Sequence, residues 1–557
     1  MPTITIDGKV CEFTPGEMIL QVALRNGVAI PYYCYHPGLS IVASCRICLA
    51  EVWAPNPRNN NALEPLPKLV PTCQTAAGDG QVVYSNSPKA VQNQKAVMEY
   101  LLINHPLDCP VCDQAGECLL QDYSYEYGRS VSRFEEDKIK QPKKDIGPNV
   151  LLYSDRCIMC SRCVRFTREV TGTAELTIEG RGAHEQIDVF PGKALDNPLA
   201  GNVVDLCPVG ALLDKDFLFA QRVWRLNATP SIDGITSSGD NIWVEHYEGK
   251  VYRIKPRENL GVNRWWITDE VRQGFHHVHA EQRLRTPMRR QFGALVESDY
   301  TRAYADVVEQ AKHGRVLLIV SPLVACEEAY TLADAALALD GQATLAVGPV
   351  PKHGEDCVYP PEATPAHEGG TGFVVRAEKA PNARGVRRVL EALGGKPALT
   401  FNDAMERARR GEFATVILVG GYPSEWATAD VTKAFDGGNP PFLVLIDTLG
   451  SSLVERARVV LPGATWVEKA GTFENAFGLI QAFEQAIPVI EMAKPEGQIG
   501  LDLLASAKGE KAKIYDAARL RKEMASRLPT LGVFTSEVKH PAVDAMKRAS
   551  DMAVVEI

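Results

Sequence analysis

Eleven of the 14 cysteines in this 557-residue chain fall into three sets within its first 207 residues, and the sets differ in spacing. Such sets constrain the fold, because separate segments must bring their thiols together. Cysteines clustered in a sequence of intracellular type are more often metal ligands or catalytic thiols than disulfides. With one histidine, the spacings predict three ligand sets: Cys34, Cys45, Cys48 and Cys73; His105, Cys109, Cys112 and Cys118; and Cys157, Cys160, Cys163 and Cys207.

The first set lies in a segment that resembles a small β-grasp ferredoxin. Alternating residues on both sides of Asp7-Gly8 predict a hairpin with a type I′ turn, and a helix over 17–26 should end at Gly27. One cysteine ten residues before a close pair approaches the plant-type [2Fe–2S] pattern. Structural zinc remains the alternative, although its ligands usually come as two close pairs. The proline-rich stretch 54–71 predicts a surface loop.

The second set follows a predicted helix. Ser87 and Pro88 are typical of a helix N-terminus, and the apolar stripe of this helix ends just before His105. Three cysteines leave one ligand position open, and we expect His105 to fill it. A neutral imidazole in place of a thiolate removes a negative charge and should raise the reduction potential of the cluster.

The third set resembles half of a bacterial ferredoxin. Cys157, Cys160 and Cys163 repeat every three residues, and the distant Cys207 is followed by Pro208. This spacing suits a [4Fe–4S] cluster. Since no second run of the same spacing precedes Cys207, we expect only one such cluster here. The leftover cysteines show no ligand spacing and are interpreted as buried or incidental thiols: Cys11, Cys326 and Cys357.

The rest of the chain predicts a different architecture. From about Arg315, β-branched runs at 316–320, 415–419 and 442–446 alternate with helical patterns, which favours a mostly parallel sheet with helices on both faces. No Gly-x-Gly-x-x-Gly opens a helix, so a dinucleotide site after Gly420-Gly421 is weakly supported. Residues 460–475 are similar to the molybdopterin oxidoreductase family. The charged tail after Gly509 predicts helices broken by Pro529 and Pro541.

Together, the three sets resemble the large iron–sulfur subunit of respiratory complex I, the proton-pumping NADH:quinone oxidoreductase. The motifs that carry the resemblance include Cys34-Tyr35-His36, Asn104-His105-Pro106, Gly116-Glu117-Cys118, Arg156-Cys157-Ile158, Arg162-Cys163 and Gly201-Asn202. The resemblance implies partners in a hetero-oligomer, a flavin- and NADH-binding subunit and quinone-side subunits. Electrons would pass from the Cys34 cluster to the Cys157 cluster and then to the His105 cluster. It also implies no molybdenum cofactor and no catalytic site within this chain.

The resulting fold class is multidomain α+β and α/β. We predict a [2Fe–2S] ferredoxin-like domain over 1–80, a one-histidine-three-cysteine [4Fe–4S] domain over 81–122 and a [4Fe–4S] ferredoxin-like domain over 123–220. A degenerate 4Fe–4S domain of the molybdenum/tungsten type without a cluster should follow over 221–285. A molybdopterin oxidoreductase-like α/β domain should occupy 286–509, and a C-terminal tail 510–557.

In the degenerate domain, we expect one particular cluster to be absent. Some bacterial members of the family hold one more [4Fe–4S] cluster, off the main path, on cysteines with two, three and twenty-seven residues between them. In this chain, the same spacing places four non-thiol residues there: Asp233, Thr236, Asp240 and Thr268. Hard oxygen donors are poorly suited to an iron–sulfur cube. We therefore expect no cluster at this position, and side-chain hydrogen bonds to backbone amides instead.

Composition excludes some classes and leaves alternatives. A net charge of −9 argues against nucleic-acid binding. No apolar run approaches eighteen residues, so we expect no membrane span. The resemblance implies a peripheral protein on the cytoplasmic face of a bacterial inner membrane, and the absence of a basic transit segment favours this location over a mitochondrial matrix. The alternatives are an iron–sulfur subunit of a formate dehydrogenase or of an NAD-linked hydrogenase. Each of these would need further cysteine or selenocysteine ligands that the C-terminal half does not supply.

Overall fold

The computed structural model describes residues 1–436 and 440–541. The chain forms two compact units, Met1–Arg225 and a second unit that begins at Leu226. Across these residues, no helix has the length and apolar character needed to span a membrane. The predicted mixture of ferredoxin-like modules and an α/β body is confirmed.

The first unit begins with a six-stranded sheet around one helix. Its central path is β2-β1-β6-β3-β4, with β5 on β3. The elements are β1 (Thr3–Ile6), β2 (Lys9–Glu12), α1 (Ile19–Arg25), β3 (Leu49–Asn56), β4 (Ala62–Pro65), β5 (Val70–Pro71) and β6 (Val82–Tyr84). The hairpin prediction is confirmed, since Ile6 faces Lys9 and both turn residues, Asp7 and Gly8, have positive φ. The predicted loop over 54–71 is wrong: this stretch contributes β4 and β5, both paired with β3.

Two further parts complete the first unit. The helical part holds α2 (Pro88–Leu102) and α3 (Leu119–Glu126). Helix α2 begins as predicted, with the Ser87 hydroxyl accepting a hydrogen bond from the Ala90 amide at 3.3 Å. The last part holds β7 (Lys143–Asp145), β8 (Val150–Tyr153), α4 (Arg162–Glu169), β9 (Leu176–Glu179), β10 (Gln186–Val189), α5 (Asn202–Leu206) and β11 (Leu212–Asp214).

The second unit opens with a three-stranded antiparallel sheet. Its elements are β12 (Asn227–Ile232), β13 (Asn241–Tyr247), β14 (Lys250–Pro256) and α6 (Asp269–Gln273). Apolar side chains of this sheet pack against α6 and against residues of the following body, including Val271 and Trp466.

The body of the second unit is a seven-stranded sheet of order β16-β15-β23-β22-β21-β17-β18. Strands β23, β22, β21, β17 and β18 are parallel, as predicted. The elements are β15 (Met288–Gln291), β16 (Ala294–Glu297), α7 (Tyr300–Ala311), β17 (Val316–Val320), α8 (Cys326–Leu339), β18 (Thr344–Val347), β19 (Cys357–Tyr359), β20 (Phe373–Val375), α9 (Ala383–Gly394), α10 (Phe401–Arg409), β21 (Thr415–Val419), α11 (Ala429–Lys433), β22 (Phe442–Asp447), β23 (Val459–Pro462), β24 (Gly471–Glu474), β25 (Ile480–Phe483) and α12 (Glu496–Lys508).

The C-terminal tail is helical and packs on this body. It forms α13 (Ala517–Arg527) and α14 (Val533–Ser536), and Pro529 lies between them as predicted. Leu520, Met524, Leu531 and Phe534 are buried in the same apolar core as the strands β17 and β22. The predicted tail therefore contributes side chains to the second unit's core, while 542–557 lies outside the described residues.

Candidate metal centres

The first ligand set lies on two irregular segments beside the six-stranded sheet. Cys34, Cys45 and Cys48 occupy the loop between α1 and β3, and Cys73 follows β5. The structure brings all four thiols together, because Cys34 hydrogen-bonds to Cys45 and Cys73, and Cys48 hydrogen-bonds to Cys73. These bonds hold the pKa of Cys34 far below its usual range and lower the pKa of Cys48 to about 7, while the pKa values of Cys45 and Cys73 are raised. The thiolate is the form in which cysteine binds metal.

The third set surrounds one enclosed cavity in the last part of the first unit. Cys157, Cys160, Cys163 and Cys207 line it together with apolar side chains such as Leu152 and Ile187. The Met159 amide donates a hydrogen bond to the Cys157 sulfur at 3.3 Å. Burial raises the pKa of Cys160 to about 11 and that of Cys163 well above its ordinary value. These thiols are protonated when no metal is bound, so metal binding must release their protons.

The second set lies on the segment between α2 and α3. Cys112 and Cys118 are buried and Cys109 is exposed. Burial lowers the pKa of His105 to about 4, with Arg156 adding to the effect, so the imidazole is neutral at physiological pH. Neutral imidazole is the form that ligates metals. Burial also raises the pKa of Cys118 to about 12.

At Gly210, the backbone passes so close to the second set that there is no room for a side chain larger than that of glycine. A Cβ atom placed on Gly210 would lie 2.2 Å from the sulfur of Cys112. Gly210 follows Cys207 and Pro208 of the third set, and the Leu119 amide donates a hydrogen bond to the Pro208 carbonyl at 3.0 Å. The second and third ligand loops therefore contact each other directly.

The first and second sets also share a contact, through aromatic rings. Tyr33, next to Cys34, packs on Tyr123 of α3 with ring centroids 5.2 Å apart. The Tyr33 hydroxyl lies 3.2 Å from the sulfur of Met98 on α2. All three sets thus belong to one continuous packed region of the first unit.

The donor chemistry fits iron–sulfur clusters. Within the described residues, no three His, Cys, Asp or Glu side chains converge as the ligands of a single metal ion. Ligands of a cluster bind different iron atoms, whereas structural zinc needs all four donors on one ion. Thiolates and imidazole are donors that such clusters use, so the residues that would hold the groups are the thiols of each set and His105.

The degenerate position is folded by local hydrogen bonds. The Asp233 carboxylate accepts from the amides of Ile235 at 2.7 Å and Thr236 at 3.1 Å, and from the Thr236 hydroxyl. Thr268 accepts from the Val271 amide at 3.1 Å at the start of α6. The predicted hydrogen bonds are present for these residues. Asp240 differs, because its buried Oδ2 atom has no hydrogen-bond partner among the described residues.

Asp233 and Asp240 form a buried acidic pair. Burial raises the pKa of Asp233 to about 6, and burial together with the nearby Asp233 raises the pKa of Asp240 well above its ordinary value. Two neighbouring carboxyl groups in a water-poor site cannot both be ionised without cost.

The α/β body has a crevice where its strand order reverses, between the carboxyl ends of β17 and β21. Cofactors of such sheets bind at this kind of position. The crevice is lined by Leu323, Gly420 and Gly421 and by side chains such as Lys469, and its volume is about 10 Å³. That is room for about one water molecule.

Two groups of side chains close this crevice. The Lys469 ammonium lies 2.8 Å from a carboxylate oxygen of Glu328 and 2.5 Å from one of Glu496. The Gly421 amide, which would face a phosphate, donates instead to the Asp447 carboxylate at 2.7 Å. A larger open cavity of about 480 Å³ borders the tail, lined by residues such as Gln485, Tyr515 and Arg521 rather than by the strand ends.

The leftover cysteines behave differently from the ligand sets. Cys11 is buried in the core of the six-stranded sheet. Cys326 is buried at the start of α8, with its thiol 3.4 Å from the Asn382 side-chain oxygen. Cys357 is exposed on β19, so of the two interpretations only that of an incidental thiol applies to it.

Five family models match successive parts of the chain. They are a 2Fe-2S iron-sulfur cluster binding domain (1–88), an NADH-ubiquinone oxidoreductase-G iron-sulfur binding region (94–133) and an NADH-quinone oxidoreductase subunit 3, ferredoxin-like domain (147–213). An NADH-ubiquinone oxidoreductase NDSU1/NuoG-like, 4Fe-4S domain (226–275) and a molybdopterin oxidoreductase domain (363–505) follow.

Curated relatives agree with these models. The G subunit of NADH-quinone oxidoreductase from Rickettsia felis is 36% identical over 60% of this chain and 48% of its own length. The chain is a homologue of this protein. The mitochondrial 78 kDa subunit of NADH-ubiquinone oxidoreductase from Neurospora crassa is 42% identical over 55% of this chain and 40% of its length. The mitochondrial iron-sulfur protein 1 of NADH dehydrogenase (ubiquinone) from Solanum tuberosum is 39% identical over 59% and 44%.

The chain spans about half the length of the curated relatives that it matches. A chain from the crystal structure of an NAD+-reducing [NiFe]-hydrogenase is 30% identical over 40% of this chain and 91% of its own, with a TM-score of 0.35. The expected resemblance to the large iron–sulfur subunit of complex I is confirmed by the names of the relatives.

Sequence reasoning missed the buried arginines around the ligand loops. Arg156, Arg162 and Arg165 are each less than a tenth exposed. Arg162 donates to the Leu206 carbonyl, just before Cys207, at 3.2 Å. The signal was available, since Arg156 and Arg162 each precede a ligand cysteine, but sequence position does not reveal what a guanidinium contacts.

Proposed function

We propose that this chain is an electron-transfer subunit of the peripheral arm of NADH:quinone oxidoreductase. It would carry one [2Fe–2S] cluster on Cys34, Cys45, Cys48 and Cys73 and two [4Fe–4S] clusters on the other sets: His105, Cys109, Cys112 and Cys118; and Cys157, Cys160, Cys163 and Cys207. The clusters supply one-electron chemistry. The chain's own residues place the clusters, tune their potentials and keep water away, so no acid or base within the chain is required.

One observation carries the proposal: the three ligand sets lie in a single compact unit with their loops in direct contact. The contact of Leu119 with Pro208 joins the second and third sets. A hydrogen bond from Arg165 to the Cys34 carbonyl joins the first and third. This arrangement supports an electron path from the first set to the third and then to the second. Isolated structural metal sites would have no need of such contacts.

The proposal also covers the partner subunits and the location of the protein in the cell. The donor would be a flavin- and NADH-binding subunit and the acceptors quinone-side subunits, in a hetero-oligomer attached to the cytoplasmic face of a bacterial inner membrane. The α/β body would bind no molybdenum, which the closed crevice around Lys469 supports. No further [4Fe–4S] cluster would form at Asp233, where the side chains are engaged in local hydrogen bonds.

The test is spectroscopic and uses the anaerobically purified full chain. We expect three distinct paramagnetic cluster signals on stepwise reduction and about ten iron atoms per chain. Stoichiometric zinc with no visible absorption would contradict the proposal. Stoichiometric molybdenum, or formate oxidation by the assembled complex, would favour the formate dehydrogenase alternative.

A further inference from the structure

Arg165 is placed between two ligand sets. It lies on α4 and is 8% exposed. Its guanidinium donates to the backbone carbonyl of Cys34 at 2.5 Å and to that of Cys160 at 3.4 Å. A third bond reaches the Ser40 carbonyl at 2.5 Å. One side chain thus holds backbone atoms of a first-set ligand and of a third-set ligand.

The charge of Arg165 is unusual for a buried residue. Among the described residues it forms no ion pair within 4 Å, and the acceptors of its hydrogen bonds are neutral oxygens. Buried charges are normally paired, because removing a lone cation from water is costly. The groups that favour its charged form are Cys160, Cys34 and Glu169. The negative charge of ligated thiolates on both sides would complete the balance.

Arg156 lies between the second and third sets and can be compared with Arg165. It donates to the Asp108 carboxylate of the second loop at 2.8 Å and to the Gly210 carbonyl beyond Cys207 at 3.4 Å. Asp108 already neutralises much of its charge. Arg156 should therefore connect the second and third sets mechanically and influence the cluster potentials less than Arg165.

We infer that Arg165 is a positioning residue shared by the first and third clusters, which fixes their separation and raises the potentials of both. The inference rests on the proposed function. One electron leaves the first cluster and enters the third, with no bond or proton transferred. A positive charge close to both sites stabilises both reduced forms, which are the more negative ones. Lysine would keep the positive charge but not the planar fork, because its single nitrogen cannot reach the same set of carbonyls.

The experiment measures midpoint potentials of the cluster-loaded full chain by redox titration followed with paramagnetic resonance. Arg165→Gln should shift the reduction equilibria of the first and third clusters about tenfold toward the oxidised form, about 59 mV for a one-electron couple. The His105 cluster should keep its potential. Arg165→Lys, which retains the charge, should recover at least half of the shift.

The matched control is Arg168→Gln, which removes an exposed positive charge from the same helix. It should leave all three potentials in place. Equal shifts in Arg168→Gln and Arg165→Gln would overturn the inference. So would a shift confined to one cluster, or Arg165→Lys behaving like Arg165→Gln.

A second variant keeps the inference testable if Arg165→Gln loses its clusters. Glu169 accepts hydrogen bonds from the Ser40 amide at 2.8 Å and the Ser40 hydroxyl at 2.5 Å, and Glu169→Gln preserves an acceptor there. Removing this negative charge should raise both potentials, and no upward shift would overturn the inference. A wild-type chain without cluster signals would instead contradict the proposed function itself.

Discussion

The third ligand set and the degenerate position each combine three side chains that are close together in sequence with a distant fourth, but their polar groups are bonded differently. Around Cys157, the thiols face a common cavity, and the Met159 amide donates a hydrogen bond to the Cys157 sulfur. Around Asp233, the corresponding side chains are already bonded to amides of their own turn. At the degenerate position, the Asp233 carboxylate is therefore satisfied within its turn, whereas the buried Oδ2 of Asp240 has no partner among the described residues.

In the α/β body, polar groups beside the crevice are likewise bonded to one another. At the end of β21, the Gly421 amide that would meet a phosphate donates to Asp447. Lys469, Glu328 and Glu496 fill the neighbouring space. Because these polar groups are mutually satisfied, the body can be stable as a scaffold without a cofactor.

The largest expected effect is on the iron content of the chain, and it compares the third ligand set with the degenerate position. Cys163→Ser should lower the iron content from about ten to about six atoms per chain, since one cubane loses a ligand. The matched change at the degenerate position, Thr236→Ser, should leave the iron content unchanged. Iron and acid-labile sulfide analysis measures both. About fourteen iron atoms in the wild-type chain would show that the degenerate position holds a cluster after all.

The next prediction concerns the buried charges that lie beside the crevice of the α/β body. Lys469→Met removes the cation of a buried triad and leaves Glu328 and Glu496 facing each other. Removing one partner of a buried pair costs about 3–5 kcal/mol, so the second unit should unfold at clearly lower denaturant. Lys312→Met, which breaks an exposed pair with Glu309, should cause no measurable change. Equal midpoints for the two variants would contradict the scaffold interpretation.

His105→Cys tests the neutral ligand of the second set. A thiolate in place of imidazole adds a negative charge, which should lower the potential of this cluster by on the order of 100 mV. The other two clusters serve as internal controls, because they should keep their potentials. An unchanged potential and paramagnetic spectrum would remove His105 from the ligand set.

The smallest effect concerns the buried acids. The pKa of Asp233 is raised to about 6 and that of Asp240 also lies above its ordinary value. Raised carboxyl pKa values mean that the contribution of this pair to stability is most favourable below about pH 4 and falls as pH rises toward 6 and beyond. Asp240→Asn should therefore increase the free energy of unfolding at pH 7 by about 1 kcal/mol and flatten this dependence. Denaturant titrations across pH measure it, and the exposed control Asp430→Asn should show no such gain.

Much of the molecule follows from local sequence. Asp7 and Gly8 determine a two-residue turn because both residues tolerate positive φ. Ser87 and Pro88 determine where α2 begins. The buried strands at 316–320 and 415–419 follow from runs of β-branched and apolar residues. The ligand spacings indicate which thiols form each candidate set.

Only the tertiary structure decided the rest. The hairpin of β3 and β4 formed in a stretch whose prolines and asparagines predicted a loop, because edge pairing with β3 outweighed local preference. Lys469 meets Glu328, and Arg165 meets Cys34, across more than a hundred residues of sequence. Such contacts depend on how sheets and loops pack, which no local pattern encodes. The sequence by itself therefore identified the candidate donors, and the folded chain decided which charges lie beside them and which cofactor crevice is closed.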